Sequence, residues 1–317
     1  MTDRTGPQPQ TTSRPLGPDD LDAVSELLTA SDLATVGFVD FTRDEIAVDL
    51  AKPTTETMGW YDEQGTLVGY GWVGRTARSN NVEIDVYVLP TYDVELGHEI
   101  LARLEQRAWA LAAEAGHPEP WLGVGAYRAD VRTRSWLQRA GYRVDTTFTR
   151  MRIDLDPAEP AEIPSTEVTV RRVTDEADLR IAHHIEEESF REHYGNVPIS
   201  FEAWQGRLTE RGTDYAQVYL AEVGGTPLGL LVGTRQFEED EDAGYVRTLG
   251  VLPAGRGRGV GTALLRDYFA RSRAAGRAAV LLHVDVANVT GALRLYESVG
   301  MRAVLEIDAW AKGERVA

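Results

Sequence analysis

The densest chemical signal in the chain is a run of glycines and arginines. Leu249, Gly250 and Val251 lead through Pro253 into Arg256-Gly257-Arg258-Gly259-Val260-Gly261-Thr262. Strand-like residues precede it, and an amphipathic stretch carrying Leu264, Leu265, Tyr268 and Phe269 follows, so the run predicts a strand-to-helix turn. A helix start leaves backbone N–H groups unpaired and presents the positive end of the dipole. Glycines let that backbone approach a ligand closely. The chemistry expected is the holding of a phosphorylated group. The Lys-Ser/Thr pair of a P-loop is absent, and no register supplies the G-x-G-x-x-G of a dinucleotide site.

A second stretch carries groups that could move protons. Val280 to Val286 alternates as a strand, with Val280, Leu282, Val284 and Val286 on one face and His283 and Asp285 on the other. His283 has a suitable ordinary pKa for a base, while Asp285 needs its own raised or a relay water. Asn288 follows, then a short helix with Thr290 as expected N-cap and Gly300 just past its end. Tyr296 lies on that helix, and Tyr245 and Arg247 share a face of the strand before the glycine run. His183-His184 with Glu186, Glu187 and Glu188 reads as a solvated helix face rather than a metal site, and no metal is expected. With no cysteine in 317 residues, disulfides, thiolate ligands and cysteine nucleophiles are all excluded.

The elements that must position these residues occur twice. Each half opens with an arginine and an acidic turn into a helix, then strand, glycine turn and strand. Each continues with a strand ending in proline, a long helix, a short helix, a glycine and a last strand, matched at an offset of about 160. The reading is a duplicated α/β domain with a mixed sheet in each copy. Residues 1–13 are expected as a disordered tail, 14–155 as the first domain, 156–167 with Pro157, Pro160 and Pro164 as a linker, and 168–317 as the second domain. The formal charge of −17 argues against a nucleic-acid partner. No apolar run reaches the roughly 18 residues of a membrane span and no secretory signal is visible, so a cytoplasmic protein is expected.

Arg256-x-x-Gly259-x-Gly261 after a strand ending in Val-Leu-Pro, together with Asn288, Ala292, Leu295-Tyr296 and Gly300-Met301, resembles the GNAT (Gcn5-related N-acetyltransferase) superfamily. The resemblance covers essentially all of 168–317 and implies a tandem duplicated GNAT fold whose second copy uses acetyl-CoA. It implies that main-chain groups of Leu249 and Val251 pair with the pantetheine arm, with a bulge at Gly250. Arg256, Gly257, Arg258, Gly259, Val260, Gly261 and Thr262 would hold the pyrophosphate, with Asn288 beside the cofactor. Tyr296 would protonate the leaving thiolate, and His283, Asp285 or a water wire would take the amine's proton. Glu192, His193, Tyr194 and Tyr245 would shape the acceptor pocket.

The sequence departs from the family at Tyr245, where many relatives carry a glutamate eleven residues before the loop arginine. In the first half Asp93 and Leu96 replace the loop's arginine and a glycine, and Leu137 the tyrosine, so that copy is expected to bind no cofactor.

The function expected is acetyl-CoA-dependent N-acetylation of a primary amine on a small molecule, by direct attack in a ternary complex. Other acceptors are an amine like that of the tandem mycothiol synthases, which share the architecture, or a protein lysine. The alternative from another class is a non-catalytic acyl-CoA-binding scaffold. Glu238-Glu239-Asp240-Glu241-Asp242 is either a solvated hairpin tip or an acidic rim that draws in a cation.

Overall fold

The computed structural model describes residues 11–75, 79–92, 94–158, 167–191, 198–210, 217–285 and 291–315. The chain divides into two compact units, Met1–Thr147 with Glu306–Ala317, and Phe148–Leu305.

The first half contains β1 (Thr12–Pro15), α1 (Leu21–Thr35), α2 (Arg43–Ala51), β2 (Thr55–Tyr61), β3 (Leu67–Arg75), β4 (Asn81–Val88), α3 (Val94–Glu114), β5 (Trp121–Tyr127), α4 (Val131–Arg139) and β6 (Arg143–Asp154). The second contains β7 (Val168–Arg172), α5 (Glu176–Phe190), α6 (Phe201–Glu210), β8 (Val218–Val223), β9 (Thr226–Thr234), α7 (Glu238–Glu241), β10 (Ala243–Val251), α8 (Val260–Ala274), β11 (Ala279–Asp285), α9 (Ala292–Ser298) and β12 (Arg302–Lys312).

In the first unit the strand order is β1-β2-β3-β4-β5-β12, and in the second β6-β11-β10-β9-β8-β7. Each is mixed: β4 and β5 run parallel, as do β10 and β11, beside antiparallel neighbours. This is the mixed α/β class expected from the alternation of strand and helix patterns.

The last strand of each half completes the sheet of the other unit. From Phe148 to Asp154, β6 pairs antiparallel with β11, and from Ile307 to Lys312, β12 pairs antiparallel with β5. The compact units therefore part within β6 and β12, not at the proline-rich stretch, of which 159–166 lie outside the described residues. Pairing partners, not position along the chain, decide which sheet a strand joins. Thr12 and Ser13, expected in the tail, are paired with Tyr61 and Trp60 in an edge strand, a role that asks little of side-chain periodicity.

The helices bury the stripes their spacing predicts. Ile100, Leu101, Leu104 and Ala108 of α3 lie in the first unit's core with Trp310 of β12. Leu264, Leu265, Tyr268 and Phe269 of α8 lie in the second unit's core with Val280, Leu282 and Val284 of β11 and Met151 of β6. On the opposite face of the second sheet, α5 and α6 bury Leu179, Ile185 and Trp204 against Leu220, Leu230 and Val232. Asp175 caps α5 by accepting from the Asp178 N–H, and the Asp178 carboxylate takes two bonds from Arg171, at 2.6 and 2.7 Å.

Candidate active site

β10 and β11 are paired from Ala243–Val246 against Ala279–Leu282. Beyond that register β10 continues to Val251 and β11 to Asp285, and a cavity of about 520 Å³ lies where they leave the pairing. On its other edge β10 pairs with β9, with a register shift between Val246 and Thr248 that leaves Arg247 as the extra residue. Val246 and Leu249, three apart, consequently pack in the same core cluster, as a one-residue bulge requires. The bulge is thus at Arg247 and not at Gly250, which keeps regular register with Leu230. The glycine at 250 lets α5 lie close: a β-carbon there would stand 3.1 Å from the Ser189 hydroxyl oxygen.

The glycine run forms the wall at one end. Gly257 and Gly259 adopt φ of 71° and 77°, in the left-handed region, and Gly259 is the N-cap of α8. The first helical hydrogen bond runs from the Ala263 N–H to the Gly259 carbonyl. The N–H groups of Val260, Gly261 and Thr262 therefore precede any helical acceptor and sit at the positive end of a fifteen-residue helix. All three residues line the cavity with Arg256, Gly257 and Gly259. Such a cradle fits a pyrophosphate.

At the other end the cavity is lined by His283 and Asp285 of β11 and by Tyr296 of α9. Val280, Leu282 and Val284 point into the core, as the alternation predicts. The helix starts after Gly291, itself left-handed at φ 76°, and Gly300 ends it at φ 90°, with Met301 N–H bonded back to the Tyr296 carbonyl. Tyr296 is 8% exposed, and burial, with Tyr245 nearby, pushes its hydroxyl up to about 12. It is a donor throughout the ordinary pH range.

His283 has both ring nitrogens engaged: Arg150 Nε donates to Nε2 at 3.3 Å, and Nδ1 lies 2.9 Å from the Tyr245 hydroxyl oxygen. Burial, reinforced by the Arg150 charge, lowers its pKa to about 4.

Of the residues expected in the site, Leu249, Gly250, Val251, Arg256, Gly257, Gly259, Val260, Gly261, Thr262, His283, Asp285 and Tyr296 are brought together around this one cavity. Arg258 is exposed outside the lining, and Tyr245 stands behind His283. Asn288, Thr290, Glu192, His193 and Tyr194 lie outside the described residues.

Phe190, at the start of the segment expected to shape the acceptor pocket, lines the cavity from the end of α5; the sequence reading missed Ser189 beside it and gave Arg247, at the bulge, no role in the site. It also missed Arg150 beneath His283. Glu186, one turn before Ser189, has its carboxyl raised by burial beside Trp204 and Arg247. His183, expected on a solvated face, packs between Phe201 and Trp204 at 5.9 and 5.5 Å because its side of α5 faces the core. Among the described residues no group of three His, Asp or Glu is placed to hold a metal.

Two acidic residues after β9, Glu238 and Glu241, are paired with arginines of the same unit. Glu241 binds Arg150 at 3.2 Å and Arg152 at 2.7 Å, and Glu238 binds Arg235 and Arg277.

In the first unit β4 and β5 also part, after Glu83 and Gly123, but the loop beyond β4 is tied shut. The Arg132 guanidinium donates to the carbonyls of Leu89, Pro90 and Tyr92 at 3.3, 3.0 and 2.9 Å. Carbonyls converging on a cation are the reverse of an N–H cradle for an anion. Leu96 and Leu137 are buried, and Asp93 lies outside the described residues.

Residues 179–301 match the acetyltransferase (GNAT) family. Over that stretch the chain is similar to the GNAT acetyltransferases. A mycothiol acetyltransferase of Thermobispora bispora is 37% identical over 115 residues, 35% of this chain and 39% of that relative, so this match spans well under half of the relative's length. The mycothiol acetyltransferase of Stackebrandtia nassauensis is 27% identical over 75% of this chain and 76% of its own. Among solved structures, a GCN5-related N-acetyltransferase from Sphaerobacter thermophilus superimposes with a TM-score of 0.80 at 24% identity, covering 97% of this chain and 96% of that one. The tandem GNAT fold expected from the duplicated pattern agrees with the two units described above. Among the described residues no helix is long and apolar enough to cross a membrane.

Proposed function

We propose that the second unit transfers an acetyl group from acetyl-CoA to a primary amine of a small molecule, by direct attack with both substrates bound. One observation carries this reading: the helix-start residues Val260, Gly261 and Thr262, the parted ends of β10 and β11, and Tyr296 all line one cavity. The helix start would hold the pyrophosphate, and the free edge of β10 at Leu249 and Val251 would hold the pantetheine arm as a strand holds its neighbour. Tyr296, protonated by virtue of its burial, would give its proton to the departing thiolate. Alignment of amine and thioester between the parted strands would supply much of the rate. With no cysteine in the chain, no thioester intermediate on a cysteine is available. Mycothiol-type amines are the first acceptors to try, because two relatives carry that name.

Calorimetric titration with acetyl-CoA tests the reading. The expected result is one site per chain, lost in Gly259→Leu, which puts a side chain into the cradle at a positive φ. Two sites would show that the first unit's loop opens despite Arg132, and no binding by folded protein would overturn the proposal. Binding with no CoA release on any amine would favour an acyl-CoA-binding scaffold.

A further inference from the structure

We propose that Arg150 and His283 are positioning residues that fix the hydroxyl of Tyr245 beside the transfer site, and that His283 is not the base for the acceptor amine. This rests on the acetyltransferase reading of the cavity. The three residues form a row across three adjacent strands. Arg150 of β6 is the direct antiparallel partner of His283 on β11, and Tyr245 stands on β10, whose register partner on β11 is Leu281, two residues before His283.

The protons in this row are determined by the arginine. A guanidinium keeps its proton in proteins and offers no acceptor. Since Arg150 Nε donates to His283 Nε2, that nitrogen holds a lone pair, and the neutral ring carries its hydrogen on Nδ1. Nδ1–H therefore donates to the Tyr245 oxygen 2.9 Å away, and the phenol proton is turned away from His283. A second ring proton would set Nε2–H against the Arg150 N–H, so the ring stays neutral. Neither ring nitrogen has a lone pair to offer an amine, whose proton leaves instead to water.

The arginine is itself immobilised. It is 2% exposed, donates through Nη1 to Glu241, and lies over the Phe237 ring at 4.5 Å. Phe237 in turn meets Tyr245 edge-on at 5.2 Å. The charged and titratable groups around His283 are Arg150 from β6, Tyr245 from β10 and Asp285 two residues along its own face of β11. Glu241 of α7 is bound by Arg150 and Arg152. The row therefore gives the hydroxyl of Tyr245 a fixed direction.

Nitrogen-15 spectra of the histidine rings test the proposal without turnover, with the His283 signals assigned by their loss in His283→Asn. The expected result is a neutral Nδ1–H ring with no titration between pH 5 and 8. In Arg150→Met the ring should titrate at a higher pH than in the wild type, and its hydrogen should no longer be held on Nδ1. Where acetylation is measured, His283→Leu and Tyr245→Phe should each lower kcat about tenfold. Their double variant should fall no further than the worse single one. His283→Asn, which keeps a donor near the Nδ1 position, should recover most of the His283→Leu loss.

An Nε2–H ring, titration of the wild-type ring near 6.5, or equal losses in His283→Asn and His283→Leu would overturn the proposal. If Arg150→Met does not fold, the wild-type spectrum and the His283 pair still decide. Absence of acetylation on every amine would sink the acetyltransferase reading and leave the ring-nitrogen result standing by itself.

Discussion

Gly97 of α3 lies against the indole of Trp136 on α4, so close that a β-carbon at 97 would stand 2.3 Å from Cε2 and Cζ2. The second unit repeats the arrangement, with Gly261 of α8 facing Leu295 of α9 at 2.8 Å from Cδ2. In both, a missing side chain on the long helix lets the short helix after the parallel strand lie close to it. Trp136 is rigid and 2% exposed, whereas the end of a leucine side chain can swing aside. Gly97→Ala should therefore cost about 1–3 kcal/mol of overpacking, read as a lower urea midpoint. Gly261→Ala should cost less. Adding Trp136→Leu to Gly97→Ala should recover part of the loss.

Tyr296 yields a kinetic prediction with two arms. Tyr296→Phe should lower kcat by roughly a hundredfold, the lower end for a lost general acid, while calorimetric affinity for acetyl-CoA stays within about threefold. Because burial holds the hydroxyl up at about 12, the wild-type rate should show no alkaline limb from this residue below about pH 11. A limb near the ordinary tyrosine value that vanishes in Tyr296→Phe would contradict the burial argument.

His283 contributes a pH dependence of stability whose sign follows from its lowered pKa. Above about pH 6.5 the ring is neutral both folded and unfolded. As pH falls from there to about 4 the unfolded chain takes up a proton that the folded ring refuses, so stability declines through that window. The full difference is on the order of 3 kcal/mol at most, from about 1.4 kcal/mol per pKa unit. Urea midpoints measured from pH 7 to pH 4 should fall less steeply in His283→Asn than in the wild type. Parallel curves would place the lost stability in other groups.

Much of this was legible in the residues because it depends on local chemistry. The stripe Leu264, Leu265, Tyr268, Phe269 follows from a period of 3.6, and the alternation that turns Val280, Leu282 and Val284 inward also turns His283 outward. The glycine run declares a helix start because few other residues tolerate the φ that Gly257 and Gly259 adopt. The bulge was not legible: nothing local distinguishes Arg247 from Gly250, and the extra residue is defined only against β9. Arg150 was invisible for the same reason, being 133 residues from His283 along the chain and joined to it only by strand pairing. The acidic run looked like solvent-facing charge because the arginines that neutralise Glu241 come from β6.

The trading of last strands between the halves has a consequence for any attempt to cut the protein in two. A fragment ending at the proline-rich stretch keeps residues 148–154 of β6, which belong to the other unit, and lacks the β12 residues that flank β5. A fragment beginning there has the glycine loop and Tyr296 but lacks Arg150 and the strand beside β11. Each fragment would expose a bare sheet edge, the kind of surface that invites aggregation. The two halves are thus interdependent: the half expected to bind no cofactor supplies Phe148–Asp154, the strand beside β11, so it is not free to be deleted.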